Sequence, residues 1–486
     1  MPLLQSLLTT CTPLSTIGNL EIVVTEIVFD SRKATSNCVF VAQKGTQTDG
    51  HQYIQKVIEM GATAIVCEHL PTDILYNVTY VQVKNSAQAM GQMASEFYGN
   101  PSAKLKLVGV TGTNGKTSVA TLLFKLFREL QYNVGLLSTV QNQINETVIT
   151  ATHTTPDAVQ LNALLAEMVK RSCTHCFMEV SSHAVAQERI AGLTFLGGLF
   201  TNITHDHLDF HGTFDNYIKA KKGFFDQLPK NAFALVNLDD RRGSVMVQNT
   251  KAQINTYSLQ TMATFKGRLV ADSLFGLQME VANQEVWFKL IGKFNAYNLL
   301  CVYGTALLLE EDPEQVLTLL SAITPPPGRF EQIVSKNQIV GIVDYAHTDD
   351  ALKNVLETIG ELREGNQKII TVVGCGGNRD TTKRPKMTRI ACELSDKVVL
   401  TSDNPRLENP VDILAQMETG IPPLGFKKTT TIADRREAIR YAVSLAQPHD
   451  IVLVAGKGHE TYQDIAGTKY HFDDREELCN AFGDKL

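Results

Sequence analysis

The sequence predicts an α/β protein of three domains built around mostly parallel sheets. Three observations carry this. The chain has 486 residues, enough for about three domains of roughly 150 residues, each with its own core. Apolar, β-rich runs alternate with helical patterns along its length, the order that parallel α/β units require. Several of those runs end directly in polar, glycine-bearing motifs, and in open α/β sheets ligands bind beyond the carboxyl ends of the strands.

Taken in chain order, residues 1–101 form a smaller N-terminal α/β domain that ends in the turn-rich stretch "YGNPSAK", Tyr98 to Lys104. The central domain, 102–330, opens on "LKLVGV" (Leu105 to Val110) running into "TGTNGKTS", followed by "CFMEV" into "SSH" and "GGLFTNIT" into "HDHLD". Proline-rich "TPPPGRFE", Thr324 to Glu331, marks the next border. In the C-terminal domain, 331–486, "IVGIV" meets "DYAHT", "IITVVG" meets "CGGNRD", "KVVLTS" meets "DNPR" and "DIVLVA" meets "GKGHE".

Composition excludes several classes. The balance of 45 basic and 51 acidic residues gives a net charge of -6, without the dense basic cluster that duplex nucleic acid requires. No run of 18 apolar residues occurs, and the N-terminus lacks a charged segment before its apolar residues, so a soluble, cytoplasmic protein without a membrane partner is expected. The nine cysteines are scattered within apolar runs, which suits reduced core thiols. Cys173 and Cys176 form a CxxC, but no second pair stands at zinc spacing, and core packing is the expected role.

The strongest local signal is "VGVTGTNGKTS". Gly112, Thr113, Asn114, Gly115, Lys116, Thr117 and Ser118 form a glycine-rich turn after an apolar strand. The following residues put Val119, Leu122, Leu123, Leu126, Phe127 and Leu130 on one helical face. Such a loop binds phosphate: backbone N–H groups close on the oxygens at the positive helix end, Lys116 adds a charge, and the Thr117 hydroxyl can ligate Mg²⁺. The spacing departs from strict GxxxxGK[ST], because Val110 takes the first glycine position. Glu179 in "MEVSSH" and His207 in "TNITHDHLDFHG" stand at strand ends and could complete a magnesium shell.

In order, "TGTNGKTS", "TTPD", "MEVSSH", "DHLDFHG", "YIKAKKGFF", "GKFNAYN", "PPPGRFE", "DYAHT", "GCGGNRD", "DNPR" and "GKGHE" resemble the Mur ligase family from Asp30 to Glu460. The resemblance implies a UDP-substrate-binding N-terminal domain, a central P-loop ATPase-type domain and a Rossmann-like C-terminal domain that holds the incoming amino acid. It implies ATP-dependent ligation of meso-2,6-diaminopimelate to UDP-N-acetylmuramoyl-L-alanyl-D-glutamate through an acyl phosphate, by a protein expected to be monomeric. The loop would hold ATP together with Asn295, Arg329 and Asp344, with domain closure assembling the site. Magnesium would rest on Thr117, Glu179, His207 and Lys221, with Lys116, Lys221 and His207 as the catalytic set.

The resemblance selects Lys221, four residues after Tyr217, as an N6-carboxylysine, although Lys219 and Lys222 are neighbours. Carbon dioxide reacts with a neutral amine, which nearby cationic charge favours. For the UDP-linked dipeptide the matching residues are Ser31, Thr154, Thr155, Ser181, Gln187 and Arg189; on its own, Ser31 could equally cap a turn. For diaminopimelate they are Arg379, Asp403, Asn404, Pro405, Arg406, Gly456 and Glu460. A guanidinium grips a carboxylate with two parallel hydrogen bonds, which suits Arg406 to the far carboxylate of that amino acid. The chain departs from the usual family pattern at Asp349 and Asn378.

Overall fold

The computed structural model describes residues 1–45, 48–149, 154–204, 206 and 208–483, the side chains of 208 and 209 excepted. The chain divides into two compact units, Met1–Tyr257 and Ser258–Leu486.

The first unit contains two sheets. The smaller has the strand order Ser15–Ile17, Thr79–Gln82, Ala64–Cys67, Cys38–Val41, Glu26–Val28, parallel except at the Ser15–Ile17 edge. Its strands are apolar without alternation because both faces are covered: Val39, Val41 and Val66 enter one core while Cys38, Phe40 and Ile65 enter another. In the larger sheet, Lys106–Thr111 lies between His175–Glu179 and Gly197–Phe200, parallel to both. Val134–Leu137 continues beyond the former; Phe233–Asn237 and Gln253–Ser258 continue beyond the latter, all parallel. The chain leaves Lys106–Thr111 for one side of the sheet and later returns to its other side. The carboxyl end of this strand is therefore a topological switch point, where α/β sheets open a crevice.

The second unit has an antiparallel meander, Phe265–Ser273, Gly276–Val281 and Gln284–Phe288, packed against helices Lys293–Leu308 and Pro313–Ala322. A six-stranded sheet follows, in the order Glu331–Val334, Val340–Asp344, Ile451–Ala455, Ile369–Cys375, Lys397–Ser402, Thr429–Thr431, parallel except at its first strand. Ile342, Leu453, Val373 and Leu400 face a core with Leu352, Met387 and Leu414, whereas Val343, Val452, Val372 and Val399 face Ile439, Ala442 and Leu478. Helices on both faces of a parallel sheet give the doubly wound, Rossmann-like form that the resemblance implies for this domain.

All seven motif-bearing apolar runs are strands, and Leu105 to Val110 is shifted by one residue to Lys106–Thr111. All nine cysteines are free and buried, as the composition implies. Among the described residues no helix is long and apolar enough to cross a membrane.

One core interaction carries a stability prediction. Arg435 and Asp474 are both 0% exposed and pair through Nε–Oδ1 and Nη2–Oδ2 hydrogen bonds of 2.7 Å each. Removing one partner strands a buried charge, so Asp474→Asn is expected to cost about 3–5 kcal/mol. Urea unfolding followed by circular dichroism checks this; an unchanged midpoint contradicts it.

Candidate functional site

The phosphate loop leaves strand Lys106–Thr111 and enters helix Lys116–Glu129, whose N-cap is Gly115 at φ 87°. Its N-cap makes no side-chain capping hydrogen bond, and a helix N-terminus carries the positive dipole end that suits an anion. At Gly112 φ is 153°, and a β-carbon there would stand 1.9 Å from Thr201 Oγ1. Glycine is therefore obligatory at that corner. The far side of the loop is fixed by the strand-end residues Thr201 and Asn202: Thr113 N donates to the Asn202 carbonyl at 2.8 Å, Asn114 N to Asn202 Oδ1 at 3.0 Å, and Thr201 Oγ1 to the Asn114 carbonyl at 2.6 Å. Lys116 Nζ donates to the Gly112 and Thr113 carbonyls at 3.0 and 2.8 Å.

Glu179 ends the neighbouring strand and is 1% exposed. Its Oε1 accepts from the Thr117 hydroxyl at 2.9 Å and from Thr139 N at 2.7 Å; its Oε2 accepts from the Thr139 hydroxyl at 3.2 Å. A buried carboxylate surrounded by hydroxyl oxygens is a hard-oxygen donor set of the kind magnesium takes. His207 lies outside the described residues, and among those described no group of three His, Cys, Asp or Glu residues gathers at metal distance. Thr139 was not selected from sequence; its signal is the strand end "LLST".

Lys221 sits on helix Phe214–Asp226, which Thr213 caps by accepting from Asn216 N. Tyr217, Ile218, Lys221, Phe224 and Phe225 form its buried face. The structure thereby separates the three lysines: Lys219 is exposed, Lys222 pairs with Asp226 at 2.6 Å, and Lys221 is 1% exposed. Lys221 Nζ donates to the Gly112 carbonyl at 2.7 Å and stands 4.7 Å from the Tyr217 ring centroid. Burial, then repulsion from Lys116, holds its amine well below the usual lysine range, with Asp206 opposing.

Thr154, Thr155, Ser181, Gln187 and Arg189 come together beside Glu179. The Thr139 hydroxyl donates to Thr154 Oγ1 at 3.0 Å, and Thr155 Oγ1 donates to the Glu179 carbonyl at 2.8 Å. Arg189 Nη1 donates to the Thr155 carbonyl at 2.7 Å, while its Nε and Nη2 hold Gln187 Oε1. The Ser181 hydroxyl caps helix Ser182–Ala186 through Ala184 N. Ser31 lies in the short turn Ser31–Lys33, capped by Asp30 rather than by Ser31, and no described contact joins it to the threonine cluster.

In the second unit, Asp344 is buried between two backbone donors, Phe330 N at 2.7 Å and Ala346 N at 2.8 Å, and burial raises its carboxyl. The Arg329 guanidinium lies 4.7 Å from the Tyr345 ring centroid. Asn295 has its amide engaged around the start of its helix, donating to the Ile291 carbonyl just before it at 2.8 Å and accepting from Asn298 at 2.9 Å.

The loops 376–378, 403–408 and 456–464 form a second cluster. Gly377 N donates to the Asn404 carbonyl at 2.9 Å, Arg406 Nη1 to the Gly377 carbonyl at 2.8 Å, and Leu407 N to Asn378 Oδ1 at 3.1 Å. Asn378 takes φ 53°, a left-handed backbone that asparagine tolerates well, so this departure from the family pattern supports the loop contact. Arg406 is itself left-handed, φ 53°, held by Arg406 N to the Asp464 carbonyl at 2.9 Å and Ala466 N to the Arg406 carbonyl at 2.7 Å. Asn404 Nδ2 donates to Glu460 Oε2 at 2.7 Å. A β-carbon on Gly456, φ 121°, would meet Asp403 Oδ2 at 2.6 Å. Pro405 is buried and Arg379 is exposed. Of the seven residues matched to the amino acid, the contacts join Asp403, Asn404, Pro405, Arg406, Gly456 and Glu460 into one neighbourhood.

A parallel sheet with a glycine loop at its switch point and a buried carboxylate on the adjoining strand defines a phosphate-loop α/β protein. Three family profiles match in chain order: "Mur ligase family, catalytic domain" at residues 23–98, "Mur ligase middle domain" at 110–306, and "Mur ligase, glutamate ligase domain" at 328–458. A Cytophaga hutchinsonii protein named UDP-N-acetylmuramoyl-L-alanyl-D-glutamate–2,6-diaminopimelate ligase is 60% identical over 474 residues, 97% of each chain. A Bacteroides fragilis protein of the same name is 54% identical over 479 residues, 99% of each chain. A solved structure of a ligase of that name matches with a TM-score of 0.71 at 31% identity, covering 99% of each chain. The chain belongs to the Mur ligase family.

Proposed function

We propose that this protein is an ATP-dependent amide ligase that joins meso-2,6-diaminopimelate to UDP-N-acetylmuramoyl-L-alanyl-D-glutamate in cytoplasmic peptidoglycan precursor synthesis. The observation that carries the choice of amino acid is the cluster in which Arg406 accompanies Asn404 and Glu460: a fixed cation for a distal carboxylate beside an acceptor for an ammonium. The names of relatives at 54–60% identity agree. The working species is a monomer with no nucleic-acid or membrane partner, divided at 1–101, 102–330 and 331–486.

In this reading the γ-phosphoryl group of ATP passes to the terminal carboxylate of the UDP-linked dipeptide. The amine attacks the acyl phosphate, and the tetrahedral intermediate collapses to amide and inorganic phosphate. Both first reactants are anions, so the protein must concentrate positive charge. Gly112 to Ser118 present backbone N–H groups and Lys116 to the phosphates; Asn295, Arg329 and Asp344 contact the nucleotide. Magnesium, when bound to Thr117, Glu179, His207 and a carboxylated Lys221, would supply further charge neutralisation. The depressed amine of Lys221 suits it to add carbon dioxide, becoming an anionic carbamate with loss of a proton. Ser31, Thr154, Thr155, Ser181, Gln187 and Arg189 hold the UDP-linked dipeptide.

The test is phosphate release with ATP, Mg²⁺ and the UDP-muramoyl dipeptide, comparing meso-diaminopimelate with L-lysine. Turnover that requires both acceptor and amine and favours diaminopimelate supports the proposal. ATP hydrolysis indifferent to the dipeptide overturns it in favour of a nucleotide-regulated binding module.

A further inference from the structure

The loop after strand Ile451–Ala455 carries a cation that the reaction scheme above does not use. Lys457 is 0% exposed. Burying an ammonium is costly unless acceptors replace its water, and Lys457 Nζ has three: Asn404 Oδ1 at 3.1 Å, Glu460 Oε2 at 3.1 Å and the Tyr462 carbonyl. An ammonium has three donors and no acceptor.

That one-sidedness fixes its neighbours. Facing Lys457, Asn404 must present its oxygen, and the same Oδ1 accepts from Asp464 N at 2.9 Å. The amide nitrogen is therefore turned to Glu460 Oε2, at 2.7 Å. Glu460 Oε2 receives both Lys457 and Asn404, which leaves Oε1 as the oxygen for an incoming cation. With the charge of Lys457 removed, Asp464 N and Glu460 Oε2 would still hold the orientation of Asn404, but Glu460 would keep a negative charge with one donor fewer.

We propose that Lys457 is a positioning residue that, through its hydrogen bond to Glu460 Oε2, holds and charge-balances the carboxylate of a clasp formed by Asn404 and Glu460 for the zwitterionic end of an amino acid. This deepens the amine-binding reading above and rests on it. Lys457 acts through Glu460, so its effect belongs to amine binding rather than to nucleotide binding or to the fold as a whole.

The experiment measures phosphate release while each of ATP, UDP-muramoyl dipeptide and meso-diaminopimelate is varied in turn, in Lys457→Met, Lys457→Arg, Glu460→Gln and the Lys457→Met/Glu460→Gln pair. Loss of a hydrogen-bonded charge predicts a KM for diaminopimelate raised about 10- to 100-fold in Lys457→Met. Under the proposal, kcat and the other two KM values stay close to those of the unsubstituted protein, Lys457→Arg recovers part of the loss, and the pair is no worse than Glu460→Gln alone. An unchanged diaminopimelate KM, equal rises in all three KM values, or additive losses in the pair overturn it. Should Lys457→Met fail to fold, Lys457→Arg decides by the same KM comparison. If the unsubstituted protein shows no amine-dependent turnover, the proposed function fails before Lys457 is tested.

Discussion

In Arg406→Ala, the preference for meso-2,6-diaminopimelate over L-lysine collapses from as much as about 10⁴-fold in kcat/KM towards parity. The two amino acids differ by the distal carboxylate, and lysine leaves the guanidinium without its anion. A buried polar group left unpaired discriminates far more strongly than a missing methylene. Among the described residues Arg406 spends one side-chain hydrogen bond on the Gly377 carbonyl, and its backbone is pinned by Asp464 and Ala466. The fork is thus held in place before any ligand arrives. Alanine retains a β-carbon, so the left-handed backbone of residue 406 costs the variant what it costs the native chain. The check is kcat/KM for both amines in both proteins. Equal use of lysine by the native protein, or undiminished selectivity in the variant, refutes the assignment.

Lys221→Ala should lose about 10²- to 10³-fold in turnover, the scale on which a preorganised charge contributes to phosphoryl chemistry. Formate should restore part of that activity, because a diffusible anion can stand where a carbamate stood. The unmodified amine is 1% exposed beside Lys116, an arrangement that disfavours the ammonium and leaves a nucleophile for carbon dioxide. Intact-mass measurement of the active native protein is the independent check. A fully active protein with an unmodified Lys221, or a variant indifferent to formate, removes this role.

What the sequence disclosed depended on how local each determinant is. The phosphate loop was readable because strand, glycine turn and apolar helix face occupy one continuous segment; Val119, Leu122, Leu123, Leu126 and Phe127 are buried as their spacing requires, while Leu130, just past the helix end, is only half-buried. Lys221 was selected by resemblance alone, although its i, i+4 relation to Tyr217 and its approach to Phe224 and Phe225 place it on the buried face. Thr139 and Lys457 were missed for a physical reason: Thr139 is defined by Glu179, distant in sequence, and Lys457, although only three residues from Glu460, is tied into that neighbourhood by Asn404, far away along the chain. Local periodicity cannot report such contacts. The left-handed backbone at Arg406 is likewise imposed by residues 464 and 466, and proline at 405 gave no hint of it.

The nine buried thiols have a practical consequence for studying motion in this protein. Burial raises Cys11, Cys67 and Cys173 to about 11 and Cys375 to about 12, and the thiolate is the form that reacts with alkylating reagents. These sites are spread through the cores of both units, so the native chain is poorly reactive while each sulfur becomes a reporter once its own segment opens. A single cysteine introduced on the surface could therefore take a fluorophore or spin label without first stripping the natural ones, and the timing of native thiol alkylation would map which segments breathe first.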